Sequence, residues 1–360
     1  MDVVHRDALV PLYVQVKRKL QAAILDGTFT DAIPSERQLA RQYDIAQMTA
    51  RRAVMELVGE GVLYRRVGRG TFVCKPGTAA RRTYAIGFAL HPAVAGGPSN
   101  PYFAGVLRGA EAAARKQGYA VMFTSAIAEL IEAADDGRRN HPGRKVDGVL
   151  AVALDDERAV RRAGRIVPVV VLDNEFDRID CVVADNVAGG RIATQHLVEL
   201  GHTKVAHLAG PRSSAVGRDR LAGYRQAMAE AHLACDRRQV VRGAFDLESG
   251  YAAAGRLMSR RDRPTAIFCA NDAIALGAMK RLRELHLSVP GDVSLVGFDD
   301  IDPAAMVDPA LTTVRVPRER IGGLAAEVLL SLIEAPGEPA RAGKHVVDVS
   351  LVERASCRRL

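Results

Sequence analysis

From Tyr84 onward the chain repeats one texture: a short apolar run, then a segment with helical periodicity. The runs are YAIGFAL, YAVMFTS, VDGVLAVAL, VPVVVLD, KVAHLAG, TAIFCAND and VSLVGFDD. Near-continuous apolar strands alternating with helices bury both faces, which is the arrangement of parallel sheets with helices on each side. Residues 84–354 written this way are enough for two such lobes. The predicted fold class is α/β, and two lobes of this kind leave a crevice at the carboxyl ends of their strands. The closing segment RASCRRL is expected to fray.

Residues 1–74 follow a different rule. Pro11 opens a segment with Leu12, Val16, Leu20, Ile24 and Leu25 at helical spacing, and Gly27 ends it. Ser35 caps a second short helix, with Gln38 three residues on, running to about Tyr43. A third helix is predicted from about Gln47 to Glu60 with an inner stripe of Ala50, Ala53, Val54 and Leu57. Val62–Tyr64 and Thr71–Val73 read as two strands, with RRVGRG between them as a turn. Three helices and a two-stranded wing make a winged helix-turn-helix. KPGTAARRT, residues 75–83, reads as a linker.

Charge divides along the same line. Residues 1–82 carry 14 Lys and Arg against 8 Asp and Glu, while the whole chain has 50 against 42. The excess positive charge therefore sits mostly on the first quarter, which suits a polyanion or simply a well-solvated surface. On the third helix Gln47, Met48, Thr49, Arg51 and Arg52 fall outside the apolar stripe. Gln, Thr and Arg are side chains that read base edges and phosphates in a major groove. Arg65, Arg66 and Arg69 around Gly68 and Gly70 suit the negative potential of a narrow minor groove.

The remaining features exclude more than they assign. Cys74, Cys181, Cys235, Cys269 and Cys357 are odd in number and scattered, so neither a disulfide framework nor a zinc site is expected, and no cofactor. Residues 1–12 lack the apolar core of a secretory signal, and no apolar run is long enough to span a membrane; a cytoplasmic protein is expected. The motifs G-x-G-x-x-G, GxxxxGK[ST] and G-x-S-x-G are absent, which argues against an enzyme.

Polar residues just after the apolar runs are the candidate crevice groups. They are Asp173, Asn271 with Asp272, and Asp299 with Asp300, joined by Arg218 and Arg220 at the start of a helix. Carboxylates, amides and an arginine fork suit adjacent hydroxyls of a sugar or polyol. Tyr102, Phe103, Phe245 and Phe298 could cover its C–H face. Asn271 and Asp272 could equally cap the following helix, Asp300 reads better as a cap or a bridge between lobes, and His202 as a turn residue.

Two stretches carry family resemblances. PLYVQVKRKLQAAILDG with IPSERQLARQYDIAQMTARRAVMELVGEGVLYRRVGRGTFV resembles the DNA-binding domain of the GntR family of bacterial repressors. The DNA-contact set is then expected to be Ser35, Arg37, Gln47, Thr49, Arg51, Arg52, Arg66, Arg69 and Gly70. Where that family usually has Ser/Thr-Arg, this chain has Ala46-Gln47, which should shift base preference from guanine toward adenine. NPYFAGVLRGAEAAARKQGYAV, DNVAGGRIATQHLVELGHTKVAHLAGP, GRDRLAGYRQAM, PTAIFCANDAIALGAMKRL and VPGDVSLVGFDDID resemble the core of the lactose-repressor family, itself similar to periplasmic sugar-binding proteins. That resemblance implies effector contacts at Tyr102, Phe103, Asp173, Arg220, Phe245, Asn271 and Asp299. The segment SAIAELIEAADDGRRNHPGRK departs from it, and no hinge helix precedes the core. The combination resembles the arabinose repressor subgroup. It implies a repressor that binds palindromic operator DNA as a homodimer or tetramer, with helical segments near 104–117 and 270–285 at the interface. Its effector would be a sugar or polyol; a nucleobase, nucleoside or sugar phosphate is the alternative.

Overall fold

The computed structural model describes residues 10–59, 62–66, 70–73, 82–131, 145–334 and 342–360. Two compact bodies divide it. The first holds α1 (Leu12–Leu25), α2 (Glu36–Gln42), α3 (Gln47–Gly59) and the antiparallel pair β1 (Leu63–Arg66) and β2 (Gly70–Val73). Its core is the set of side chains that helical spacing selects: Val16 and Leu20 of α1, Leu39 and Ala40 of α2, and Ala50, Ala53, Val54 and Leu57 of α3. Leu63 and Val73 close it from the wing. Leu25 was expected in that stripe and is 88% exposed. The stripe continues through Ile24, and at ~100° per residue Leu25 turns away from it.

Local chemistry sets the helix ends. The Ser35 hydroxyl accepts from the Gln38 amide while Gln38 Oε1 accepts from the Ser35 amide, a reciprocal capping box. Gly27 leaves α1 at φ +82°, a conformation L side chains rarely adopt. The wing ladder runs from Leu63↔Val73 to Arg66↔Gly70, so Arg65, Arg66 and Gly70 are strand residues rather than turn residues. Ile33 N–H donates to Thr71 O and Val73 N–H to Asp31 O, adding segment 31–33 to the wing.

The second body has two six-stranded sheets. The N-lobe sheet contains β3 (Ala85–Leu90), β4 (Ala120–Thr124), β5 (Gly148–Val152), β6 (Val169–Leu172), β7 (Asp180–Ala184) and β13 (Lys344–Val347), in the order β13-β7-β6-β5-β3-β4. The C-lobe sheet contains β8 (Val205–Ala209), β9 (Val240–Arg242), β10 (Ala266–Cys269), β11 (Ser294–Asp299), β12 (Thr312–Arg315) and β14 (Ser350–Val352), in the order β14-β12-β11-β10-β8-β9. All seven predicted apolar runs are strands. β7, β9, β12, β13 and β14 were not expected, because polar residues such as Asp180, Arg242, Thr312, Lys344 and Ser350 break the apolar runs there. The chain crosses between lobes three times: after β7, after β12, and between β13 and β14.

Helices α4 (Pro101–Lys116), α6 (Asn186–Glu199), α7 (Ala215–Glu230), α8 (Leu247–Met258), α9 (Asp272–Glu284) and α11 (Arg318–Glu334) cover these sheets; the shorter α5 (Glu157–Ile166) and α10 (Asp302–Met306) complete the set. The three closest pairs, α4–α11, α6–α7 and α8–α9, touch backbone to backbone. A Cβ on Gly322 would lie 1.8 Å from Val106 O, one on Gly223 2.1 Å from Val187 O, and one on Gly277 2.0 Å from Leu247 O. Glycine at those positions is what allows the close crossing.

The C-terminal tail is not frayed. Ser356 is fully buried, its hydroxyl donating to Leu295 O at 2.6 Å and accepting from Thr312 N–H at 2.8 Å. Leu360 N–H reaches Leu200 O. His202 locks the same region: its ring meets Thr265 Oγ1, Ser294 Oγ and Arg358 O. Unpaired backbone next to a sheet is costly, and these side chains satisfy it.

Candidate functional site

Two candidate surfaces emerge, one on each body. On the first, the opening turns of α3 carry Gln47, Met48, Arg51 and Arg52 exposed and Thr49 half-buried, while the apolar stripe holds the opposite face in the core. Arg37, on the first turn of α2, is also exposed. Tyr13, Met48, Thr49, Arg51, Arg52 and Met55 line a shallow cavity of about 510 Å³ on this side of α3. Arg52 is partly engaged: its guanidinium lies 3.9 Å from the Tyr13 ring centre and faces Glu56, which Lys17 also pairs. Ser35 is occupied by its cap. Arg65 forms an ion pair with Glu36 of α2, which pins the wing to the helix pair. Gly70 begins β2 at φ +117°. Arg69 and the side chain of Arg66 lie outside the described residues.

On the second body, the candidate groups gather at the carboxyl ends of strands, as expected for doubly wound sheets. Asp173 follows β6, Asn271 follows β10 and Asp299 ends β11. Two of them stand at positive φ, Asp173 at 58° and Asp299 at 105°. A non-glycine residue held there stores roughly 1–3 kcal/mol of strain, which concentrates at functional sites.

Arg220 is the centre of the C-lobe half. It is 3% exposed. Nε donates to Asn186 Oδ1 at 2.9 Å, Nη1 to Ala270 O at 2.6 Å, and Nη2 lies 3.1 Å from Asp299 Oδ1. The guanidinium is stacked 3.7 Å from the centre of the Phe298 ring. Despite that ion pair, Asp299 Oδ1 is buried and accepts no aligned hydrogen bond among the described residues. Burial pushes the Asp299 carboxyl up to about 6, against the pull of Arg220. In the N-lobe half, Tyr102 Oη donates to Asp173 Oδ1 at 2.9 Å, and Phe103 packs edge-on to Tyr102 at 4.9 Å. Burial raises both the Asp173 carboxyl and the Tyr102 hydroxyl; Arg220 opposes both shifts and Asp299 adds to that of Tyr102, so the two halves share one electrostatic neighbourhood.

The other candidates sort by what they touch. Asn271 caps α9, its Oδ1 accepting from Ile274 N–H at 2.9 Å, while its Nδ2 points to Phe245 O at 3.4 Å. Asp272 caps nothing. It is fully buried, accepting from Thr313 Oγ1 and Ile301 N–H, and burial lifts it to about 8. The Phe245 ring lies over Gly210, where a Cβ would come within 2.3 Å. Asp300 is no cap either: it pairs with Arg315 and Arg354, and α10 has no side-chain cap. The bridge between lobes is Arg318, which donates to Pro101 O at the start of α4 and to Asp300 O. Arg218 is exposed and turned to the carbonyls of Arg212 and Ser213, since two helical residues on from a given position is ~200° around the axis. Asn186 and Arg318 were missed. Asn186 sits one residue past the Asp185 cap of α6, just after the unrecognised strand β7.

Comparison with known proteins follows this division. Residues 12–73 match the gntR family of bacterial regulatory proteins, and residues 194–357 match the periplasmic binding protein-like domain. An HTH-type transcriptional repressor PurR from Vibrio campbellii is 36% identical over 241 residues, 66% of this chain and 72% of that protein. One from Klebsiella pneumoniae is 34% identical over 261 residues, 71% of this chain and 76% of that protein. Among solved structures, a complex of the transcriptional regulator CelR with cellobiose has a TM-score of 0.69 at 29% identity, covering 86% of this chain and 90% of that one. A LacI family transcriptional regulator from Enterococcus faecium with bound ribose has a TM-score of 0.65 at 27% identity, covering 77% and 99%. A winged helix of one family and a two-lobed body of the other thus meet in a single chain, and that chain belongs to the LacI-type ligand-responsive transcriptional repressors, with a GntR-type DNA-binding domain.

Proposed function

We propose that the crevice between the lobes takes a small sugar or polyol, and that its occupancy controls operator binding by a homodimer in the cytoplasm. The observation that carries the effector reading is Asp299 Oδ1, buried and without an aligned donor beside the Arg220 fork. A sugar hydroxyl donates to that oxygen while its own lone pair accepts from the unused N–H groups of Arg220. A neighbouring hydroxyl does the same with Asp173 across the crevice. Phe245 and Phe103 cover the ring's apolar face. The neighbours solved with cellobiose and ribose support the class. A purine base is the second reading: Asp173 and Asp299 could accept its N–H groups between the same aromatic faces.

The three chain crossings and the Arg318 bridge give the body a hinge. A ligand that contacts both halves favours the closed arrangement and shifts the population toward it. In a dimer formed through segments 104–117 and 270–285, closure alters the spacing of two winged helices on palindromic half-sites. The reader is residues 1–74, through Arg37, Gln47, Thr49 and Arg51, with Arg52, Arg66, Arg69 and Gly70 at the backbone; no helix among the described residues is long and apolar enough to cross a membrane.

The test uses DNA selected from a randomised pool by the full-length protein. Its affinity is measured by fluorescence anisotropy against ribose, arabinose, galactose, cellobiose, adenine and guanine. One of the sugars should change DNA affinity at least tenfold. A response to a base alone would replace the sugar reading, and a response to none would refute crevice control.

A further inference from the structure

A cavity of about 760 Å³ lies at the α7–β9 edge of the C-lobe, lined by Arg212, Arg218, Arg225, Arg237, Val240 and Arg242. Five of its six lining residues are arginines, drawn from four different pieces of chain: the loop after β8, helix α7, the turn before β9, and β9 itself. Arg218 and Arg225 are seven residues apart on α7 and so share one face of it. The tertiary fold brings the others to that face.

The cluster's nearest acid in sequence, Asp219, feels the charge of Arg218 without pairing with it. None of the five forms an ion pair with a carboxylate among the described residues. The nearby acid Asp236 is held by Arg238 at 2.7 Å. The partners they do have are carbonyls: Arg218 donates to Arg212 O and Ser213 O, and Arg242 to Gly210 O at 3.3 Å. Burial, together with the like charges of Arg212 and Arg225, pulls the Arg242 guanidinium down from its ordinary value. Protein surfaces normally intersperse the two signs, because unscreened like charges within roughly 10 Å repel. Concentrating five cations around one concavity is therefore a cost that an anion would remove.

We infer that this cavity binds a small, soluble polyanion carrying two or more phosphate groups, at a site separate from the effector crevice. Each planar guanidinium can grip two phosphate oxygens, and five of them exceed what one phosphate can use. The volume falls in the range of metabolite sites, roughly 300–1,000 Å³. Its concave form favours such a ligand over a nucleic-acid backbone. The two sites share a stretch of chain: Gly210, whose carbonyl accepts from Arg242, is also the residue that Phe245 covers.

Calorimetric titration of the full-length protein with inorganic tripolyphosphate, pyrophosphate and phosphate, at ~150 mM salt, tests this. One saturable site per chain is expected, tightest for tripolyphosphate. The Arg225→Gln/Arg242→Gln variant should lose at least about tenfold in affinity, whereas Arg37→Ala/Arg51→Ala in the DNA reader should stay within about twofold of wild type. Arg225 is exposed, so Arg225→Gln alone folds and repeats the measurement should the double variant not. Without anion, its melting temperature should be unchanged or higher. The inference is overturned by an absence of saturable binding or by loss of binding in the reader variant instead. A fall in DNA affinity of the cavity variant as large as its fall in anion affinity would equally overturn it, since that would make the cavity a DNA-backbone contact.

Discussion

Replacing Arg220 by methionine keeps much of the side-chain volume and removes the charge, and the structure sets the consequence. Arg220 and Asp299 expose 4% and 9% of their side chains. Removing one member of a buried pair costs about 3–5 kcal/mol, because the other charge is left without compensation. Asp299 can escape by taking up a proton. Burial already holds its carboxyl at about 6, and without Arg220 that value rises further. A carboxyl whose folded value lies above its unfolded 3.8 contributes stability that is fully present below 3.8 and lost as pH rises through the folded value. Arg220→Met should therefore be mildly destabilising at pH 5 and reach the full cost near pH 8. Asp299→Asn removes the charge, and the double variant should recover about 1–3 kcal/mol relative to the sum of the single changes. The chain has no tryptophan, so urea unfolding is followed by circular dichroism. Strict additivity within about 0.5 kcal/mol, or a cost for Arg220→Met independent of pH, would refute the coupling. The same variants should keep DNA affinity within a few-fold and lose the effector response; parallel loss of both would remove Arg220 from the effector site.

Between pH 7 and 8 overall stability should fall by about 1 kcal/mol. Asp272 is lifted to about 8 and remains protonated in the fold after its unfolded counterpart has ionised. Below about pH 6.5 His207, lowered to about 3 by burial, acts in the opposite direction to Asp272 and Asp299, so the step from pH 7 to 8 carries the test; a flat profile across that step would contradict the Asp272 assignment. Gly322→Ala should cost at least about 2 kcal/mol by driving α11 off α4, and a thermal melt within a degree of wild type would show that the crossing yields freely. Gln47→Arg should shift the base selected at one operator position toward guanine, as read by sequencing DNA recovered from a random pool. An unchanged preference would place Gln47 off the base edges.

The parts of this protein written in local chemistry were readable from the residues. The α3 stripe of Ala50, Ala53, Val54 and Leu57, the Ser35–Gln38 box and the seven apolar strands each depend on neighbours within a few positions, where periodicity and capping act directly. Where a side chain has two possible partners, local reading stops. Asn271 and Asp272 look alike in sequence, yet Asn271 caps α9 and Asp272 turns inward to Thr313, some forty residues on. Arg65 reads as one more basic wing residue and is committed to Glu36. The tail looked polar enough to fray, but Ser356 fills a gap beside β11 that only the assembled sheet creates.

The same boundary runs through the functional surfaces. The sequence alone determined that a basic three-helix reader precedes a two-lobed α/β body, and that Asp173 and Asp299 belong at its strand ends, because strand polarity places those residues by rule. Only the tertiary structure decided that Asn186 orients Arg220, that Arg318 spans the lobes, and that Arg218 leaves the crevice to join Arg212, Arg225, Arg237 and Arg242. These are contacts between segments tens to hundreds of residues apart. Their geometry is set by how sheets twist and helices cross, and no local pattern encodes it.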